Sequence, residues 1–306
     1  MNSPAYLKPG STIAIAASAR KVNFAEIADA IALLESWGLK VVLSETIYAV
    51  EHQFAGTDTE RTMGLQQLLD DPSIHAILFA RGGYGSVRII DALNFDKFVQ
   101  HPKWLIGFSD ITVFLAHLAA KFKVSSMHAC MAFSMQPERF DPVSVESLKN
   151  ALFGRGIAFE LSQHALNTNL PTEPFSGQLI GGNLSVLYAL MGSGSLPNST
   201  DKILFLEDLD EYLYHIDRML MGLKRAHFFK GLKAVLIGGM SDMKDNAIPF
   251  GKSANEIILD VLAEYQIPIV FGLPCGHEKV NNCLVMGETI TLTSTPTKIS
   301  CTQKGA

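Results

Sequence analysis

The sequence predicts an α/β protein in two parts: an N-terminal domain with a doubly wound, mainly parallel sheet, and a smaller β-rich α/β C-terminal domain. Three features carry that prediction. Through the first half, short apolar runs alternate with segments of helical period, the pattern of a parallel sheet wrapped on both faces. A polar, Pro-bearing stretch at 163–174 then breaks the periodicity. Near the C-terminal end, three short strand-like runs follow one another with no helix between them. The boundaries that follow are 1–160 for the N-terminal domain, 161–174 for a linker and 175–306 for the C-terminal domain.

The elements read in order as follows. Residues 12–17 are apolar and follow Pro9-Gly10, a first strand. A helix over 24–37, a strand over 40–43 and a helix over 58–69 come next, the last opened by the capping box Thr57/Glu60. The run 74–80 is a buried strand; Arg81-Gly82-Gly83-Tyr84-Gly85 follows it, before a helical pattern at Val87, Ile90 and Leu93. The run from Trp104 ends at Gly107-Phe108-Ser109-Asp110, and Val113, Leu115, Leu118 and Phe122 continue as a helix. Pro142 after Asp141 begins a helix to 153. Beyond the linker, a strand over 175–180 leads into Gly181-Gly182-Asn183 and a helix through 191. A strand over 202–206, a helix over 212–229, a strand over 232–237, a helix over 255–265 and a strand over 267–272 follow. The final runs, 283–286, 289–293 and 298–302, are expected to be antiparallel strands of the C-terminal domain.

Composition narrows the function. The 306 residues are 48% hydrophobic and 18% charged, an ordered globular chain. A net charge of -5 and a pI near 6.0 supply no basic field for nucleic acid or an anionic membrane. No apolar run approaches the ~20 residues of a spanning helix, and 13–17 is too short for a signal segment. Cys130, Cys275, Cys283 and Cys301 lack disulfide or zinc spacing, which suits a reducing compartment, so a cytoplasmic protein is expected. No phosphate fingerprint is present, and the chemistry below requires neither cofactor nor metal. Monomer and homodimer both stay open.

The segment 104–112 is the most informative. A serine on a sharp strand-to-helix turn stands proud of the sheet edge beside helix N-terminal N–H groups, a geometry that suits a nucleophile with an oxyanion site. It is not the esterase G-x-S-x-G, since Ile111 replaces the second glycine; a plain helix cap is the alternative. The 81–85 loop, after what should be a neighbouring strand, could supply one oxyanion donor from the Gly82–Tyr84 backbone and the Asp110 N–H the other. Arg81 is placed either to bind a substrate carboxylate or to form a surface ion pair.

Such a nucleophile needs a base and a group to orient it. Of nine histidines, His277 stands out, in a Gly/Pro-fixed loop after a strand, Gly272-Leu273-Pro274-Cys275-Gly276-His277-Glu278. His75 reads as a satisfied core residue, His215 as the partner of Glu211, and His128 with Cys130 lacks a companion pair for a metal. The carboxylate should come from Glu207 or Asp208, where the apolar 202–206 run stops; alternation lets one of them face the cleft. The other would cap the helix ahead of 212–229.

Taken together, Arg-Gly-Gly-Tyr-Gly at 81–85, Gly-Phe-Ser-Asp-Ile-Thr at 107–112, Gly-Gly-Asn-Leu at 181–184, Glu207-Asp208 and Gly276-His277 with Asn281 resemble the LD-carboxypeptidases, the serine peptidase family that also holds the microcin C immunity proteins. The resemblance spans nearly the whole chain. It implies a Ser109–His277–Glu207 triad split between two domains, with the backbone of Gly83 and Asp110 as oxyanion hole. It further implies cleavage of the bond to a C-terminal D-amino acid, D-alanine in cytoplasmic murein tetrapeptides, in cell-wall recycling. Immunity-type members act on aminoacyl-nucleotide analogues and use a tryptophan on an inserted loop. Here neither Trp37 nor Trp104 lies between Ser109 and Glu207, which favours the murein activity. A non-catalytic peptide-binding protein on the same scaffold is the third alternative. The chain departs from the family's usual pattern at Val285, where a proline is customary, and at Glu278, where a small residue is.

Overall fold

The computed structural model describes residues 2–139 and 141–305. Its first half runs β1 (Thr12–Ala16), α1 (Ala28–Ser36), β2 (Lys40–Leu43), α2 (Asp58–Asp70), β3 (Ala76–Phe79), α3 (Asp96–Gln100), β4 (Trp104–Gly107), α4 (Thr112–His117), β5 (Ser126–His128) and α5 (Pro142–Leu152). The strands β5-β4-β3-β1-β2 lie side by side and all parallel. Every residue of β3 and β4 is buried, because helices cover both faces; hence their unbroken apolar sequences. The Thr57/Glu60 box caps α2, and Asp141 caps α5 ahead of Pro142.

The second half runs β6 (Ile157–Ser162), β7 (Phe175–Asn183), α6 (Leu184–Ala189), β8 (Lys202–Leu209), α7 (Leu213–Arg225), β9 (Ala234–Ser241), α8 (Ala254–Leu262), β10 (Ile269–Phe271), β11 (Leu284–Met286), β12 (Thr289–Ser294) and β13 (Lys298–Gln303). Its sheet has the order β10-β9-β8-β7-β12-β13-β6. The first four strands are parallel and the rest antiparallel. One face of the first sheet (Ile77, Phe79, Leu105) shares a continuous core with the second sheet (Leu179, Leu204, Leu236). The other face packs on α1 and α5 in a separate core.

Several expectations are corrected. The 283–286 strand does not join the C-terminal sheet: β11 pairs antiparallel with β5, Leu284 opposite His128, and closes the edge of the first sheet. In exchange β6, not expected as a strand, lies beside β13 in the second sheet. β11 thereby covers the open edge of β5, and β6 that of β13, which spares those two strands a row of unpaired N–H and C=O groups. The helix expected from Val87, Ile90 and Leu93 is two short 3-10 turns, Ser86–Arg88 and Ile90–Ala92. The Asp110 carboxylate takes the Ser86 N–H and Arg61 the Gly85 carbonyl, so the segment is tied down before an α-helix can form. His75 is exposed rather than in the core, and its Nδ1 accepts the Thr12 N–H. The strand expected to stop before Glu207 continues to Leu209. Among the described residues no helix is long and apolar enough to cross a membrane, and the four cysteines are free and buried.

Candidate active site

The turn after β4 is tight for steric reasons. A Cβ at Gly107 would lie 3.0 Å from the Ile111 side chain, so any larger residue there would press on it as the chain folds back. Ser109 then adopts φ +60, in the left-handed region that non-glycine residues rarely occupy, before the 3-10 turn Ser109–Ile111 runs into α4. Such outliers cluster at functional sites, because the surrounding structure must hold them in place.

The 81–85 loop lies against this serine. A Cβ at Gly82 would sit 3.2 Å from Ser109 Cβ and 3.4 Å from its Oγ. Gly83 has φ +108 beside the Arg20 side chain. Two buried groups fix the loop from beneath. Asp110 accepts the Ser86 N–H at 2.9 Å; burial raises its pKa against that bond. Arg61, fully buried, donates to the carbonyls of Ser18 and Gly85 at 2.6 and 3.0 Å.

From the other half come the histidine and its partner. Glu207 on β8 is wholly buried, and its Oε2 accepts from His277 Nδ1 at 2.7 Å. The contact demands glycine next door, since a Cβ at Gly276 would lie 2.7 Å from Glu207 Cβ and Oε2. Asn281 closes the loop by accepting the Gly276 N–H at 2.9 Å, and its own N–H donates to Ser144 Oγ on α5 at 2.8 Å. The His277 loop is therefore pinned to both halves. A bulge opens room for it: Leu206 pairs with Ile237 but Asp208 with Met240, so Gly238-Gly239 carry the extra residue, and Cβ atoms there would strike Cys275 and Glu278.

Burial works against a charged His277, but the hydrogen bond and the charge of Glu207 outweigh it, and the imidazole pKa is raised. Burial likewise disfavours the Glu207 carboxylate; the two imidazoles of His128 and His277 outweigh it and hold its pKa below the usual range. Asp208 faces the opposite way, accepting from Asn183 Nδ2 at 3.0 Å, Ser185 N–H at 2.8 Å and Leu209 N–H at 2.9 Å. Burial and the neighbouring Glu207 charge push it up to about 6. It serves the start of α6, not the helix after 212 as expected from sequence. The Gly181-Gly182-Asn183 segment crosses the start of α4, where a Cβ at Gly182 would lie 2.7 Å from Thr112 and the Asn183 N–H donates to Thr112 Oγ1.

Ser109, Gly83, Arg81 and His277 line one cleft of about 460 Å³. Glu207 lies behind His277, and the Phe108 ring stands 4.8 Å from the imidazole. Arg20 and Arg139, which sequence reasoning missed, line the same cleft. The Arg81 and Arg139 guanidinium groups both lie over the Phe133 ring, at 4.1 and 4.5 Å. Nothing local in sequence links them; only the fold brings 20, 81 and 139 together. Among the described residues no group of three or more His, Cys, Asp or Glu is arranged to hold a metal ion.

The fold and site define a two-part α/β protein in which Ser109, on a strand-to-helix turn, and a carboxylate-paired His277 line one cleft with no hydrogen bond between them. Comparison with known proteins gives the family. Residues 13–129 match the LD-carboxypeptidase N-terminal domain and residues 176–292 the LD-carboxypeptidase C-terminal domain. The chain belongs to the LD-carboxypeptidase family. The murein tetrapeptide carboxypeptidase of Pseudomonas aeruginosa is 30% identical over 85% of this chain and 85% of its own. The microcin C7 self-immunity protein of Escherichia coli is 25% identical over 89% and 86%. Among solved structures, a muramoyltetrapeptide carboxypeptidase from Oxalobacter formigenes superposes with TM-score 0.85 at 27% identity, covering 96% of this chain and 98% of that one.

Proposed function

We propose that the protein is a serine carboxypeptidase that hydrolyses the L,D-peptide bond to a C-terminal D-alanine in cytoplasmic murein tetrapeptides, a step of cell-wall recycling. The observation that carries this is the 2.7 Å bond from His277 Nδ1 to buried Glu207, with His277 and Ser109 lining one cleft. With its Nδ1–H donating to the ionised Glu207, the neutral imidazole keeps an unprotonated Nε2 for the cleft. Ser109 Oγ attacks the carbonyl carbon as its proton passes to Nε2. The N–H groups of Gly83 and Asp110 receive the negative oxygen of the tetrahedral intermediate. His277 then protonates the leaving amine, the C–N bond breaks, and a water activated the same way releases the acyl group from Ser109. The murein activity is favoured over the immunity type because both tryptophans are structural: Trp104 is fully buried against Tyr6 and Trp37 packs in the core beside α1.

Arg81 is the proposed receptor of the substrate's free carboxylate, supported by its place in the cleft. Burial and the neighbouring charges of Arg20 and Arg139 lower its pKa, strain that a bound anion relieves. Arg81→Gln is expected to raise KM for a tetrapeptide with a free C-terminus by about ten- to a hundredfold, the loss of one charge-assisted bond. The C-terminal amide should be hydrolysed poorly by both proteins, with little further loss in the variant. Equal losses on acid and amide would remove Arg81 from carboxylate recognition.

Because the histidine must be unprotonated to act, kcat/KM should rise with pH, with a midpoint above the ordinary imidazole value of about 6.5. A midpoint below it, measured on a tetrapeptide across the neutral range, would contradict the pairing with Glu207. Release of D-alanine from a murein tetrapeptide, assayed on the purified protein, tests the function itself.

A further inference from the structure

Glu207 has a second neighbour that the reaction above does not use. Its Oε2 is taken by His277; its Oε1, buried, has no hydrogen-bond partner. Facing that oxygen at 3.8 Å is Nε2 of His128, wholly buried on β5, and both ring nitrogens of His128 are likewise unpartnered. A buried polar atom left unpaired is costly, and here two complementary ones point at each other across a gap one ångström longer than a hydrogen bond. The ring is held there by apolar walls, the Phe205 ring at 5.0 Å and the Phe108 ring at 5.7 Å, both edge-on. It has nowhere else to donate.

We propose that His128 is a positioning residue: its Nε2–H secures the free oxygen of Glu207, so that the carboxylate stays ionised and aimed at His277. The carboxylate then stands between two imidazoles, one from each half of the molecule. His128 sits on β5 of the first sheet, at Leu284 of β11 in register, and Glu207 on β8 of the second. A contact across that boundary makes the alignment of the Glu207–His277 pair depend on how closely the two sheets approach at this point. The other ionisable groups around the carboxylate are Asp208, whose side chain turns away to Asn183 and Ser185, and Cys275, a buried thiol whose pKa lies well above its ordinary value. Neither can donate in place of His128 with a charge-stabilising bond.

The inference rests on the proposed triad but has a readout independent of turnover. His128→Leu removes the donor at similar volume, whereas His128→Gln can place an amide N–H near the Nε2 position. In His128→Leu a released Glu207 holds His277 less well, and burial then works unopposed against the imidazolium. Its titration, followed by NMR of histidine-labelled protein without substrate, should move to lower pH by about one unit, and His128→Gln should restore it. With a tetrapeptide, kcat should fall ten- to a hundredfold in His128→Leu while KM stays within twofold, with recovery in His128→Gln. Should His128→Leu not fold, His128→Asn, whose amide falls short of Glu207, replaces it with the same expected shift. An unmoved His277 titration, or equal effects in the Leu and Gln variants, would overturn the proposal. A shifted titration in His128→Leu, beside a wild-type protein that cleaves no peptide, would uphold it and sink the proposed function instead.

Discussion

Ser109→Ala is expected to fold as the parent does and to lose hydrolysis by about 10⁴ to 10⁶ in kcat, because the members of a triad act as a unit. The left-handed backbone at this position sharpens the test. Alanine at φ +60 is as strained as serine, so its melting temperature should be nearly unchanged. Ser109→Gly, free of that strain, should be equally inactive yet more stable by about 1 kcal/mol. Inactive and stabilised is a combination expected of a catalytic elbow and not of an ordinary helix cap, whose loss costs about 1 kcal/mol. Calorimetry and steady-state assays on a murein tetrapeptide settle it. A Ser109→Ala protein keeping a tenth of the parent turnover would end the serine mechanism.

Glu207→Gln should be nearly as severe, about 10³ to 10⁴ in kcat with a small change in KM, since the charge matters most when the imidazolium forms. It should also move the pH profile. Without the carboxylate, burial dominates His277 and the rising limb shifts to lower pH, the reverse of the parent's elevation. Asp208→Asn is the control. Its carboxylate accepts two hydrogen bonds at the start of α6 and one from Leu209 N–H, so the variant should lose about 1 to 3 kcal/mol of stability, with kcat within a few-fold of the parent. An inactive Asp208→Asn beside a working Glu207→Gln would shift the orienting role by one residue.

The residues that carry local signals were legible in the sequence. The elbow shows as an apolar run broken by Gly107-Phe108-Ser109, the His277 loop as glycine and proline after a strand, and α2 and α5 as capping residues ahead of periodic segments. Alternation also separates Glu207 from Asp208, and in the structure the two do face opposite ways. What stayed hidden is set by contacts distant in sequence. A three-residue run such as Leu284-Val285-Met286 has no period that says which sheet edge it will cover. His128 reads as an isolated histidine until β5 and β8 are brought face to face, and Arg20, Arg81 and Arg139 become neighbours only through the fold. The Gly238-Gly239 bulge is likewise dictated by the His277 loop above it rather than by β9 itself.

The strand exchange also sets an order of events during synthesis. As the chain leaves the ribosome, the first four parallel neighbours of the N-terminal sheet can assemble early, yet β5 keeps an open edge until residues 284–286 emerge to cover it. That edge carries His128, and the same late segment follows the loop that delivers His277. A nascent chain is therefore both sticky and inert for most of its translation, since long-range pairing is slow and an unpaired edge invites other strands. On the proposed mechanism, competence arrives late, when the segment that carries His277 returns and β11 pairs with β5. The route of the chain thus places its proposed base, His277, among the last segments to be made.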